Sequence, residues 1–239
     1  MSTSLAILAQ VQLHNRPSGQ HSCVQDNGIC PDWIIHHLDA YTAPLWRHIQ
    51  LTLASVVLGF VIAFALAVVA HRRRWLTGPI VGVTGILYTI PSLALFALLI
   101  PLTGFGFVTA LIPLTIYTLL ILFRNIIVGL DNVPDEAKDA ALGMGFTERQ
   151  LFWRVELPLA LPEIFAGLRV ATTSNVGLAA LAFYAGAGGL GQAILSDIAF
   201  KSNVLVAGGL CILLAFVLDL GLLGAQRVLL PWQRARATA

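Results

Sequence analysis

The sequence predicts an all-α integral membrane protein of about five spans, N-terminus outside and C-terminus inside. Three observations point there. Hydrophobic residues fill 57% of the 239 positions and charged ones only 11%, whereas about a quarter of the residues in a soluble domain are charged. Apolar runs of about 20 residues, long enough to cross the hydrocarbon core, recur along a chain whose mean hydropathy is +0.83. Lys and Arg gather at one set of run ends, as they do in short cytoplasmic loops. The remaining length holds no second folded domain, and a formal charge of +2 gives no face for nucleic acid.

Residues 1–48 read as an extracytoplasmic tail that mixes Pro17, Gly19, Gly28 and Pro31 with His and Asp and has no run able to cross a bilayer. Its opening lacks a basic n-region and a long enough apolar stretch for a signal peptide, so the first span must direct insertion. Trp33 and Trp46 suit the membrane interface. Cys23 and Cys30 flank the turn signal Asn27-Gly28; a small disulfide loop and two incidental thiols both fit.

Span one covers about 49–70 and ends on His71-Arg72-Arg73-Arg74, which should be cytoplasmic. Spans two and three cover about 79–101 and 107–128, with Pro91 and Pro113 inside them. Proline frees backbone carbonyls, so kinks beside a water-filled pathway and plain packing irregularities are both open there. Span four, about 164–185, follows Pro162, and span five covers about 203–226. The residues 231–239 then form a cytoplasmic tail. On this topology eleven Lys and Arg lie inside (72, 73, 74, 124, 138, 149, 154, 169, 227, 234 and 236), and only Arg16, Arg47 and Lys201 lie outside.

Residues 129–162 are a polar island between spans three and four, too polar to lie in lipid. Pro134 suits a helix start, with Asp135 and Glu136 at the positive end of its dipole, and Gly143 and Gly145 should break that helix. Thr147 and Gln150 form a capping box, and Phe146 and Leu151 a hydrophobic staple, so a second helix should start at Thr147 and stop before Pro158. The island is therefore a water-facing helical hairpin. A bare linker is the other reading of such a hairpin.

Other patterns mostly exclude chemistry. Gly186-Ala-Gly188-Gly189-Leu-Gly191 matches G-x-G-x-x-G, but no strand–helix unit or acidic partner follows, so it reads as a turn where spans four and five approach closely. There is no phosphate-binding G-x-x-x-x-G-K-[ST], no His inside an expected span, no metal-ligand spacing and no G-x-S-x-G. The chain should hold no cofactor and no metal and hydrolyse no ATP itself. Thr172, Thr173, Ser174, Asn175 and Tyr184 are candidates to line a pathway, and the first four could equally bridge helices. Asp219 is an acid within span five, either functional or paired with Arg124, Arg169 or Arg227.

The island carries a longer-range spacing: Asp139-Ala140-Ala141, three residues, Gly145, nine residues, then Val155-x-Leu157-Pro158. This resembles the cytoplasmic EAA loop of binding-protein-dependent ABC importer permeases, with Asp139 in place of Glu and Val155 in place of Ile. Taking Glu136 as the motif acid would put Leu142 where the glycine belongs. The resemblance covers about 49–230 and implies a MetI-like type I importer transmembrane domain. The segment Arg154 to Arg169 looks most like permeases for osmoprotectants such as glycine betaine, carnitine, choline or proline. It implies that Glu136, Asp139–Ala141, Gly143, Gly145, Arg149, Val155, Leu157 and Pro158 dock a separate ATPase subunit, which carries ATP and Mg. It also implies a second permease copy or paralogue, an extracytoplasmic substrate-binding protein that meets the glycine-rich turn, and the plasma membrane of a bacterium or archaeon. An ion-coupled secondary transporter would instead show an inverted repeat and midplane ionisable groups, neither of which is evident. A non-transporting scaffold would not need the motif spacing.

Overall fold

The computed structural model describes residues 23–24 and 27–231, and every regular element among them is a helix. Arg16, Pro17 and Gly19 of the expected outer tail, and nearly all of the expected inner tail with Arg234 and Arg236, lie outside the described residues. In order the chain forms α1 (Pro31–His36), a 3-10 turn (Leu38–Tyr41), α2 (Thr42–Arg72), α3 (Thr77–Thr89) and α4 (Ser92–Thr103). Then come α5 (Phe107–Asp131), α6 (Asp135–Gly143), α7 (Glu148–Leu151), α8 (Leu157–Ala179), α9 (Leu190–Ser196) and α10 (Lys201–Leu229).

Among the described residues three stretches, Leu38–Arg72, Phe107–Asp131 and Lys201–Leu229, are long and apolar enough to cross a membrane. The second expected span is not one helix. At Pro91 it breaks into α3 and α4, bent 92° from each other. Pro91 forces Ile90 out of the helical region to ψ 127°. The carbonyl thereby released is capped by the Tyr117 hydroxyl of α5. Pro113, by contrast, is buried inside a continuous α5.

The fourth expected span also differs from expectation. The helix does not stop before Pro158 and restart after Pro162, but runs from α7 through a π turn (Phe152–Glu156) into α8 and ends at Ala179. Proline lacks an N–H and crowds the carbonyl four residues back. A π turn offsets the ladder to five residues just ahead of Pro158, so the helix continues where an ordinary α-helix would be interrupted. Residues Ala182–Ala185 form a separate 3-10 turn.

α5 is the centre of the bundle, packed between α2 and α8, with α10 on the far side of α8. The contact face of α2 is a stripe spaced three or four apart, Leu51, Ser55, Gly59, Ala63, Ala67 and Ala70, all buried. Small side chains let helix backbones close in where lipid gives no hydrophobic drive. Gly129 of α5 shows the same economy, since a Cβ there would meet the Ala160 carbonyl oxygen at 2.9 Å. Near the hairpin the core is Ala63, Ala67 and Ala70 with Leu122, Phe123, Ile126 and Phe152; at the other end it is Leu51, Phe96, Leu114, Ala179 and Ala185.

The two ends of the bundle are distinct. One gathers the end of α2, the end of α5 and the hairpin, held by His71 Nε2 at 3.0 Å from Glu156 Oε2. The other gathers the starts of α2, α5 and α10, where the Arg47 guanidinium lies 4.6 Å from the centre of the Phe107 ring. The tail docks at this second end. Cys23 and Cys30 are joined in a disulfide, the Cys30 N–H donates to Ser202 Oγ of α10 at 2.8 Å, and Ser202 Oγ donates to the Gly28 carbonyl at 2.9 Å.

Candidate functional site

The hairpin is built by two local signals. α6 closes in a glycine turn: the Phe146 N–H donates to the Ala141 carbonyl at 3.1 Å and the Gly145 N–H to the Leu142 carbonyl at 2.9 Å. Gly145 has φ +84°, the left-handed conformation that such a helix end requires and that a side chain disfavours. Gly143, expected to break the helix, is its last residue, with open space around the position of a Cβ. The capping box forms as expected, with the Thr147 N–H donating to Gln150 Oε1 at 2.9 Å and the Gln150 N–H to Thr147 Oγ1 at 3.4 Å. Gly145→Ala is expected to destabilise the hairpin by about 1 kcal/mol while Gly143→Ala is neutral or stabilising. Amide exchange of the 141–150 segment reads the difference.

The motif residues then divide by burial. Ala141 faces inward, whereas Glu136, Asp139, Ala140, Gly145 and Arg149 are exposed and Val155, Leu157 and Pro158 are partly covered. Asp139 makes no ion pair among the described residues. Beside these polar groups stand Leu142, Met144 and Trp153, 47%, 70% and 50% exposed. An apolar cluster exposed on so polar a hairpin marks a surface that something covers. The motif spacing did not single these three out. A cleft of about 430 Å³ lies alongside, lined by His71, Arg72, Leu142, Glu148, Leu151, Phe152 and Glu156. At its base the carboxylate of Glu156, 6% exposed, is held by His71, whose ring also lies 5.7 Å from that of Phe152. This pair ties the π turn to the end of α2, so the hairpin is anchored to two helices.

At the opposite end Gly186, Gly188 and Gly189 all have positive φ, and Gly191 carries the closest approach. A Cβ on Gly191 would sit 1.7 Å from the Ala180 carbonyl oxygen. His48 organises this turn, although the first expected span began just after it. It is fully buried near the start of α2; the Leu190 N–H donates to its Nδ1 at 3.3 Å, which leaves Nε2–H to donate to the Val176 carbonyl at 3.0 Å. A lone His ahead of an apolar run gives no sign of this in sequence.

The Thr172 to Asn175 cluster separates into two faces. Thr172 and Asn175 are buried within the bundle, Asn175 Nδ2 donating to Ser55 Oγ of α2 at 2.5 Å. In this chain both pack against other helices. Ser174 and Tyr184 are exposed and Thr173 is partly so. Arg169 and Asp219, on α8 and α10, form a two-pronged ion pair with both contacts at 2.7 Å, which selects Arg169 from the three candidate partners.

Residues 55–233 match the family described as binding-protein-dependent transport system inner membrane component. The chain belongs to this family of ABC importer permeases. The permease is 41% identical over 210 residues to osmoprotectant import permease protein OsmW of Salmonella typhimurium, covering 84% of this chain and 98% of that one. It is 37% identical to choline transport system permease protein OpuBB of Bacillus subtilis, over 78% of this chain and 87% of that one. In fold it superposes on the inward-facing MetNI methionine ABC transporter with a TM-score of 0.70 at 23% identity, over 84% of this chain and 99% of that one. Permeases of this family are not enzymes, the ATPase residing on a separate subunit.

Proposed function

We propose that this chain is the membrane-spanning subunit of an ATP-driven importer for small osmoprotectants of the quaternary-amine class, and that the hairpin is where its ATPase grips. The observation carrying this is the hairpin itself. The motif acid and Arg149 lie exposed beside Leu142, Met144 and Trp153, at the bundle end where Arg72, Arg73 and Arg74 also gather. That concentration of base favours a cytoplasmic placement, where an ATPase has access. The substrate class is supported by the relatives that import osmoprotectants and choline.

In this reading the five-span topology, N-terminus out, is retained, with the bent α3–α4 pair as one crossing and α8 as another. α8 is polar for a span, but it packs against α2, α5 and α10. Its open positions, Ala166, Val170, Ser174 and Gly177, recur every three or four residues and would face the pathway and a second permease. ATP-driven closure moves the hairpin, and through α8 biases which side of the pathway is open; energy enters only through contacts that differ between the two states. A binding protein delivers solute at the Gly186 to Gly191 end.

The test is uptake of labelled choline and glycine betaine into liposomes holding the permease with its cognate ATPase and binding protein. Uptake that stops without ATP is the expected result. Uptake driven by an ion gradient without ATP points to a secondary transporter, and undiminished transport with residues 139–158 scrambled removes the docking assignment.

A further inference from the structure

We infer that the outer end of the permease holds its own binding site for a quaternary ammonium cation, in the pocket between α1, the 3-10 turn, α9 and the start of α10. The inference rests on the quaternary-amine reading above for the ligand's presence at this end, and on the pocket's chemistry for its binding. The pocket has a volume of about 350 Å³, and its walls include Trp33, His37, Tyr41, Asp197, Phe200 and Asn203. That volume is at the small end for ligand sites, which run from about 300 Å³ upward, and suits a compact solute.

The ring groups are fixed in place by each other. Trp33 stacks on His37 with ring centres 4.5 Å apart and meets Phe200 edge-on at 4.7 Å. Site groups already immobilised cost a ligand little ordering. Two polar groups of the wall, Tyr41 and Asn203, are satisfied within it. The Tyr41 hydroxyl donates to Asn203 Oδ1 at 2.5 Å, and Asn203 Nδ2 donates to the carbonyls of Ala193 at 2.7 Å and Asp197 at 3.2 Å. A trimethylammonium group needs no hydrogen-bond partner and is attracted by aromatic rings.

Asp197 sets the sign of the charge. It is the one acidic residue of the lining, exposed and in no ion pair among the described residues. Of the basic residues at this end, Arg47 is directed elsewhere, its Nε donating to the Ala187 carbonyl at 3.0 Å, and Lys201, exposed at the start of α10, forms no ion pair with Asp197. A solute with its own carboxylate, such as glycine betaine, would set like charge near Asp197. The site therefore prefers choline to betaine.

Equilibrium dialysis of labelled choline against the full chain, in nanodiscs of phosphatidylethanolamine and phosphatidylglycerol, tests this. The expected result is saturable binding of one choline per chain, displaced by tetramethylammonium. Binding of 3,3-dimethylbutanol, the uncharged isostere of choline, should be weaker by about tenfold, and Asp197→Asn and Trp33→Leu should each weaken choline by about threefold to thirtyfold. Helical content and elution volume of each variant confirm that it is folded. Repeating the measurement in phosphatidylcholine nanodiscs separates the two sources of this chemistry: unchanged binding assigns the site to a free solute, and lost binding assigns it to the lipid headgroup. No saturable binding, equal binding of the uncharged isostere, or unaltered affinity in the folded Asp197→Asn variant overturns the site. If choline binds here but the assembled transporter shows no ATP-driven uptake, the transport reading falls and the site stands; uptake without this binding is the converse.

Discussion

A Gly191→Ala permease is expected to lose the packing of the bundle end that holds the glycine-rich turn and to be recovered largely as aggregate after detergent extraction. The added methyl would lie 1.7 Å from the Ala180 carbonyl oxygen and 2.6 Å from its carbon. Both are backbone atoms at the end of α8, so no rotamer change relieves the clash. Overpacking of a core that can adjust costs about 1–3 kcal/mol; here adjustment means moving α8 or α9, and the cost should exceed that range. Displacing α9 would also part the Leu190 N–H from His48, leaving a buried imidazole short of a partner. Gly209→Ala is the control, because nothing lies within 4 Å of a Cβ there and alanine favours the helix. Thermal unfolding followed by size exclusion distinguishes the two. A Gly191→Ala protein that melts with the wild type would mean that α8 and α9 are not held in this contact.

Arg169→Ala is expected to be nearly as damaging, and Asp219→Arg combined with Arg169→Asp to recover much of the loss. The pair links α8 to α10 through two parallel contacts of 2.7 Å, the geometry in which a guanidinium and a carboxylate bond most strongly. Removing the arginine leaves a carboxylate among apolar helices, which costs about 3–5 kcal/mol when a buried pair is broken. The side chains here are 32% and 25% exposed, so about 2–3 kcal/mol is the expected loss in thermal-shift measurements. Asp219→Asn with Arg169→Gln keeps hydrogen bonding without charge and should fall between. Single Arg169→Ala and Asp219→Ala variants as stable as the wild type would show that the pair holds nothing together.

Much of this architecture was legible because local chemistry and long-range spacing agreed. The capping box at Thr147 and Gln150 is read from residue types three apart, and the structure forms it. Gly145 was legible for the same reason, since a helix ending in left-handed backbone needs glycine at one position. Gly143 also ends α6 as expected, but without a conformation that requires glycine: two glycines in a row of three look alike in sequence, and only the conformation of each tells which is required. Proline had opposite outcomes at two places: the kink left open at Pro91 became a full break, whereas the expected stop before Pro158 did not form. Pro91 broke a span that composition alone would keep whole, while Pro158 and Pro162 were absorbed into one because the preceding turn changed its hydrogen-bond register.

The partnerships were less legible. That Asp219 would be paired could be argued from the cost of a lone acid in lipid, but three arginines were equally available until α8 and α10 were in place. Neighbouring residues Thr172 and Thr173 meet different surroundings, one buried and one partly exposed, because successive positions on a helix are about 100° apart. The buried His48 and the exposed Leu142, Met144 and Trp153 carry no spacing that a single sequence could reveal. Their roles depend on what the fold places opposite them.

The uninterrupted helix from Glu148 to Ala179 has a mechanical consequence. At about 1.5 Å per residue it spans close to 48 Å. Both of its prolines and its wide turn lie in the first half, nearest the hairpin, so the compliance is concentrated at the hairpin end and the remainder is stiff. Rotating such a rod about that end by about 5° would sweep the far tip by about 4 Å. A small displacement at the hairpin would thus be geared up into a larger one beside the glycine-rich turn.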